Sequence, residues 1–259
     1  MDRELAGVFS GNTLSVPLYD KKMVTWRNWN ECFLEERQHM RRIVFDAYGT
    51  LLDLTAIMAR VRAVTEDRGE EFLALWRQKQ LEYAFLRTIM GRYAPFRQIT
   101  QDALDYVLER FGLRVNPSER ERLVNGWTDA EAFPDAGPAL KALRSAGWSP
   151  LILSNGDPMM LQASVAHSGL LPLLDDVLSI EDVHRFKPDP RAYQIVLDRY
   201  GGTADQVTFV SSNGWDVAGA VAFGFTVFWI NRTHTVLEHL NLPPTAQLTS
   251  LTELTRQLL

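Results

Sequence analysis

Four short polar clusters in this chain could do chemistry together. Asp46 ends the apolar run Ile43-Val44-Phe45 and is followed by a Gly49-Thr50 turn. Ser154-Asn155 follows Leu151-Ile152-Leu153, and Ser211-Ser212-Asn213 follows Phe209-Val210, with Asp216 just beyond. Between the last two lies Phe186-Lys187-Pro188. A carboxylate can be a nucleophile that forms and then loses an ester, provided a cation balances it and donors aim it. Lys187 could supply the charge, and the Ser, Thr and Asn side chains the donors. Each cluster also has a plainer reading. Asp46 could cap its turn, Ser-Asn-Gly is a common loop, a lone lysine is usually solvated, and Asp216 could be a first-turn helix charge favoured by the dipole. Their joint occurrence at apolar strand ends is the specific signal.

Such residues meet only if the strands are parallel neighbours, because ligands bind outside the carboxyl ends of open α/β sheets. The pattern supports this. Residues 41–48 read as the first strand, Pro150-Leu151-Ile152-Leu153 as the second, Asp176 to Ser179 as a short third, Val207 to Val210 as a fourth and Thr226 to Ile230 as a fifth. Helical runs alternate with them: Ala139 to Ala146, one starting at Asp157-Pro158, Pro190 to Tyr200, and Asp216 to Phe223. Asp157 is placed to act as a helix N-cap with Pro158 at the first helical position. Alternating strands and helices predict a parallel sheet. Residues 54–132 read differently, as helix alone. Phe72, Trp76, Tyr83, Leu86 and Met90 fall at helical spacing as one apolar face, Asp102 to Phe111 forms another run, and Pro117 opens a third that reaches about Trp127. The expected architecture is an α/β, Rossmann-like parallel sheet core (40–53 and 133–259) with an inserted helical cap domain (54–132). A cap just beyond Asp46 could exclude water and supply specificity. Residues 1–39 are expected to be an extension; Trp26, Trp29 and Phe33 could form a packing face of a helix there.

The chain has 259 residues, a net charge of −5 and a pI near 5.6, with no basic stripe to suggest nucleic acid. No apolar run suggests a membrane span, and the first forty residues hold no signal-peptide core. Cys32 is the single cysteine, so an intrachain disulfide is impossible and a reducing, cytoplasmic setting is expected. Its neighbours Glu31 and Glu35 would not activate it as a nucleophile. The five histidines show no metal-ligand spacing.

Over roughly 41–259 the chain resembles the haloacid dehalogenase superfamily, and more narrowly the L-2-haloacid dehalogenases. The resemblance rests on Phe45-Asp46-Ala47-Tyr48-Gly49-Thr50, Leu75-Trp76-Arg77-Gln78-Lys79-Gln80-Leu81-Glu82-Tyr83, Leu153-Ser154-Asn155-Gly156, Phe186-Lys187-Pro188 and Phe209-Val210-Ser211-Ser212-Asn213-Gly214-Trp215-Asp216. The Trp-Arg-Gln-Lys-Gln and Ser-Ser-Asn-x-Trp-Asp segments are characteristic of the dehalogenase branch. The resemblance implies that Asp46 attacks C2 of a small halogenated carboxylic acid to form an ester, and that water then hydrolyses it. It implies that Lys187 balances Asp46, that Asp216 helps activate water, and that Thr50, Ser211 and Asn213 orient the carboxylates. Ser154, with backbone N–H groups near Ala47 and Tyr48, would bind the substrate carboxylate. Arg77 and Asn155 would surround the halide; Leu81, Phe96 and Trp215 would wall the substrate tail; Tyr193 would support the Lys187 loop. It also implies a homodimer with cap helices at the interface. Asp157 departs from the family pattern, which more often has an uncharged residue there.

Phosphoryl-transferring relatives carry a second Asp two residues after the nucleophile, to protonate an alkoxide. Here that residue is Tyr48. Halide is a very weak base and leaves without a proton, so no second acid is needed. Where those relatives hold Mg²⁺ with acidic residues, this chain has Ser211-Ser212-Asn213. The expectation is therefore no metal and no cofactor. A hydrolase opening a strained azetidine carboxylate, a small-molecule phosphatase and a non-catalytic binding protein remain as alternatives at this level.

Overall fold

The order of elements follows from where apolar runs stop. In a computed structural model, residues 41–259 are described; the expectations for residues 1–39, including Cys32 and the Trp26-Trp29-Phe33 face, lie outside them. Strand β1, Arg41–Phe45, is apolar on both faces, with Ile43, Val44 and Phe45 fully buried. That is the composition of a strand covered on both sides. It is central: β4 (Trp148–Ser154) and β6 (Val207–Ser211) flank it in parallel, with Val44 opposite both Leu151 and Phe209. Among the described residues the sheet has the order β5-β4-β1-β6-β7-β8, with β5 at Asp176–Ser179, β7 at Thr226–Ile230 and β8 at Ala246–Leu248. All its pairings are parallel. The α/β parallel core expected from the sequence is present. Strand β8 and the C-terminal helix were not legible there.

The chain turns sharply after Asp46. Its N–H still donates to Val210 O at 2.9 Å, whereas Ala47 O accepts from the N–H groups of both Leu51 and Leu52 at 3.0 Å. Gly49 has φ +86°, a left-handed conformation that glycine adopts without strain. A Cβ there would sit 3.2 Å from the Ser212 hydroxyl. The turn thereby brings the first strand end against the end of β6.

A two-residue ribbon, β2 (Leu52–Asp53) against β3 (Glu131–Ala132), brackets the helical segment. This segment holds α1 (Thr55–Thr65), α2 (Gly69–Met90), α3 (Phe96–Phe111) and α4 (Pro117–Asn125). Helix α4 begins with a full capping box, Asn116 with Glu119, and Pro117 at its first position. Helices α2 and α3 pack through Phe72, Leu73, Trp76, Gln80 and Ala84 against Ile99, Thr100, Ala103, Leu104 and Val107. The expected apolar face of α2 is only half right. Phe72 and Trp76 are buried, but Leu86 and Met90 are exposed, because the buried stripe continues through Gln80 and Ala84 at four-residue steps. Gln80 is accommodated by donating to Thr100 Oγ1 at 2.7 Å.

The remaining helices are α5 (Ala136–Ser145), α6 (Pro158–His167), α7 (Pro190–Tyr200), α8 (Gly214–Phe223) and α9 (Leu251–Leu258). As expected, Asp157 caps α6, accepting from Met160 N.

Candidate active site

The ends of β1, β4 and β6 converge. Lys187 enters from the loop before α7, fully buried, and its ammonium donates to Asp46 Oδ1 at 2.9 Å, Asp216 Oδ2 at 2.8 Å and Leu153 O at 3.0 Å. The second Asp46 oxygen accepts from Asn213 Nδ2 at 2.7 Å and, more loosely, from Thr50 Oγ1 at 3.4 Å. Asn155 Oδ1 accepts from the Lys187 N–H at 2.8 Å, which fixes the loop carrying the lysine. Thus β1 supplies a carboxylate, its two flanking strands supply amides, and the adjacent loop supplies the cation.

Two carboxylates around one buried ammonium set the electrostatics. Burial opposes the Lys187 charge, but Asp216 and Asp46 outweigh it and hold the amine above its ordinary range. Burial pushes the Asp216 carboxyl up to about 6; Lys187 pulls it down and Asp46 adds to the rise. Burial lowers the Arg77 guanidinium, against the charge of Asp46.

Asp46, Tyr48, Arg77, Leu81, Phe96, Ser154, Asn155, Asn213 and Trp215 all line one small cavity of about 30 Å³. Nine of the residues singled out from sequence therefore meet at one place. The indole of Trp215 is held edge-on by Phe85 of α2, with centroids 5.5 Å apart. Asn155 Nδ2 is buried with no acceptor, a donor left over for a ligand. Ser154 Oγ accepts from Gly156 N at 3.2 Å, leaving its own proton to donate elsewhere. A larger surface groove of about 470 Å³ between α1 and α4 contains none of these groups.

Other expected residues sit behind the cavity. Ser211 is fully buried, and its hydroxyl accepts from Asn213 N at 3.1 Å, so it aims Asn213 rather than touching Asp46. Tyr193 does not line the cavity; its hydroxyl donates to Asp216 Oδ1 at 2.8 Å, and the other Asp216 oxygen accepts from the Lys187 ammonium, so Tyr193 reaches the lysine through one intervening carboxylate. Asp216 is itself fully buried, with Tyr193 on one oxygen and Lys187 on the other.

Several participants were not singled out from sequence. Ser212 donates its N–H to Thr50 Oγ1 at 2.9 Å and shares a hydroxyl contact with it at 3.1 Å, which ties the first strand end to the end of β6. Gln80 and Trp127 line the cavity. Trp127 packs edge-on to Tyr48, and the Arg77 guanidinium lies 5.3 Å from its ring centre. Ser164 holds Tyr48: the two hydroxyls are 2.8 Å apart, and Ser164 Oγ also donates toward Trp127 O and Met160 O. Ser212 and Gln80 had a usable signal, since one belongs to a strand-end cluster and the other to the Trp-Arg-Gln-Lys-Gln segment already noted.

The Tyr48 hydroxyl is thus engaged with Ser164 and makes no hydrogen bond to Asp46. Burial drives that phenol well above its ordinary value, with the Ser164 bond opposing and nearby carboxylates adding. It is no proton donor for a leaving group. Asp46 is the one carboxyl among the described residues lining the cavity. Among the described residues, no group of three or more His, Cys, Asp or Glu side chains could hold a metal ion.

The family model for haloacid dehalogenase-like hydrolases matches residues 40–224. The chain is 45% identical to (S)-2-haloacid dehalogenase 1 of Pseudomonas sp. (strain CBS-3), over 85% of this chain and 97% of that protein. The chain belongs to the haloacid dehalogenase-like hydrolases, in their (S)-2-haloacid dehalogenase branch. This dehalogenase-branch chain is also 43% identical to (S)-2-haloacid dehalogenase 4A of Burkholderia cepacia, over 83% of this chain and 93% of that one. Among solved structures it is similar to the L-2-haloacid dehalogenase of Xanthobacter autotrophicus with chloropropionic acid covalently bound, with TM-score 0.80 and 36% identity over 85% of this chain and 98% of that one. The resemblance drawn from its motifs is therefore correct.

Proposed function

We propose that this enzyme hydrolyses L-2-haloacids to D-2-hydroxy acids through an ester on Asp46. The observation that carries the proposal is the setting of Asp46, which faces the cavity while Lys187, Asn213 and Thr50 hold its two oxygens. An Asp46 oxygen attacks C2 opposite the halogen. The carbon–halogen bond breaks, its electron pair leaves with the halide, and C2 inverts. Water then adds to Cγ of Asp46. The bond from Cγ to the ester oxygen breaks, that oxygen takes a proton and leaves as the hydroxyl of the product, and the carboxylate is restored. The second proton of the water goes to solvent.

The remaining roles follow. The Ser154 hydroxyl and the backbone N–H groups of Ala47 and Tyr48 bind the substrate carboxylate. Arg77 and the spare amide of Asn155 receive the halide. Leu81, Phe96 and Trp215 wall the tail. Lys187 lowers the cost of charge near Asp46 in both steps, Asp216 draws on the hydrolytic water, and Tyr193 and Ser211 fix Asp216 and Asn213. Residues 54–132 act as a cap domain over a core of 40–53 and 133–259. No metal or cofactor enters this scheme, since Lys187 and Arg77 provide the positive charge. The phosphatase and strained-ring readings lack an acid for their leaving groups, because the Tyr48 hydroxyl is engaged with Ser164.

Incubation with L- and D-2-chloropropionate and with a phosphate ester, each with and without a chelator, tests the proposal. The expected result is chloride from the L-acid alone, unaffected by chelator. Chelator-sensitive phosphate release would overturn it.

The raised carboxyl of Asp216 predicts an acidic limb in kcat. Asp216 must be ionised to serve hydrolysis, so turnover falls as pH drops through about 6 and the ester accumulates. Intact-protein mass spectrometry of acid-quenched reactions measures that accumulation. The sign for stability is opposite. The folded group binds its proton more tightly than at its ordinary 3.8, so this contribution is full below 3.8 and is lost as pH rises through about 6.

A homodimer and a cytoplasmic setting belong to the same reading. Leu86, Ile89 and Met90 at the exposed end of α2, with Tyr106 of α3, form an apolar strip suited to a second copy. Sedimentation equilibrium is expected to give twice the 29.5 kDa chain mass, and Ile89→Glu with Met90→Glu to return the monomer.

A further inference from the structure

We infer that Asp157 sets the size selectivity of the cavity by clamping the start of cap helix α3 onto the core. Its two carboxylate oxygens serve two helices. Oδ1 accepts from Met160 N at 3.0 Å and caps α6 of the core; Oδ2 accepts from Arg97 N at 3.1 Å, in the first turn of α3. The first N–H groups of a helix have no partner within it. Helix α3 has no capping side chain of its own, since its N-cap residue is Pro95. A carboxylate is also favoured by the dipoles at both helix starts.

The clamp lies beside the substrate space without entering it. Phe96, next to Arg97, is a wall of the cavity, and its ring centre is 5.9 Å from that of Phe186, the neighbour of Lys187. Ser154 and Asn155, which also line the cavity, immediately precede Gly156-Asp157. Asp157 therefore fixes the distance between the apolar wall and the groups assigned to the substrate carboxylate and halide. Phe96 on Phe186 and Phe85 on Trp215 also join cap to core at this cavity, but as ring contacts they lack the direction of a hydrogen bond. Phe186 N donates to Thr88 Oγ1 at 3.1 Å, and Tyr93 stacks on His184 at 4.3 Å; these hold the end of α2 and the connection after it. Asp157 is thus a positioning residue acting through Phe96.

The inference rests on the dehalogenase reading, and the variants separate the two. Asp157→Ser keeps a hydroxyl able to cap α6 but leaves the Arg97 N–H without its acceptor. Arg97→Pro removes that donor from the other side, at the second position of the helix; because it also restricts the backbone of Phe96, the residue before it, Asp157→Ser carries the test and Arg97→Pro must agree with it. Arg97→Ala controls for the lost guanidinium bonds to Glu121 and Asn125. The readout is kcat/KM for L-2-chlorohexanoate divided by that for L-2-chloropropionate. Asp157→Ser and Arg97→Pro are each expected to raise the ratio about tenfold over wild type and over Arg97→Ala, through a lower KM for the longer acid. The double variant should add nothing to either single one, as for two halves of one contact. A merely structural role would lower both kcat/KM values together and leave their ratio alone. If wild type releases halide but the ratio stays within about twofold in either variant, the clamp is overturned and the dehalogenase reading stands. If wild type releases no halide from either acid, both fall.

Discussion

Asp46→Asn is expected to lower halide release by about 10⁴-fold or more, because an amide is no nucleophile and the covalent step has no substitute. The fold should tolerate the change, since the Asn oxygen can still accept from Asn213 or Lys187. A single turnover with excess wild-type enzyme in heavy-oxygen water completes the test. The first product molecule carries an oxygen that began in Asp46, so the heavy atom should be found in the Asp46 carboxylate. Heavy oxygen in that first product would mean direct attack by water and would sink the ester mechanism. Activity that appears slowly in Asp46→Asn would need a mass check for deamidation before it counted against the assignment.

Lys187→Met should damage stability and turnover together. The lysine is fully buried between Asp46 and Asp216, with both contacts under 3 Å. Removing one partner of a buried ionic cluster costs about 3–5 kcal/mol, since the charge left behind has no compensation. For a domain of this size that is about 10 °C in melting temperature. Turnover should fall about 10³-fold, as it does when a preorganised electrostatic partner is lost. Differential scanning calorimetry across pH checks the cause. Lys187 holds the Asp216 carboxyl down, so in the variant Asp216 protonates at higher pH than in wild type; the deficit should shrink as pH falls toward about 6 and level off below it, because protonation removes one of the two stranded charges. A deficit independent of pH would point to packing alone. Adding Asp216→Asn to Lys187→Met should restore part of the lost stability for the same reason.

These two residues were legible in the sequence because their placement depends on chain-local features. An apolar strand that stops at a carboxylate, and a Lys-Pro turn between two such strands, are written in consecutive letters. Parallel order then brings the ends together with no further information. The roles of Tyr193 and Ser164 were not legible. Which acceptor the Tyr193 hydroxyl reaches depends on how α7 packs on α8, and Ser164 looks from sequence like any serine within a helix. Helix α2 makes the same point. Its large apolar residues suggested one face, but contact with α3 selected a different stripe and left Leu86 and Met90 outside. Gln80 entered the core because Thr100 answered its amide, a pairing between residues twenty apart.

The Tyr48 anchor bears on how this activity could change under mutation. Phosphoryl-transferring relatives carry an acid at this position, and Tyr48→Asp is the single-codon route toward one. The tyrosine fills space against Trp127 and shares its hydroxyl with Ser164. Truncating such a buried aromatic costs about 3–5 kcal/mol, and the new carboxylate would meet an apolar ring where the phenol had been. The first step toward the other chemistry is therefore a loss of fitness before any gain. Compensating changes at Trp127 and Ser164, the residues that hold Tyr48, would have to accompany it to recover that loss.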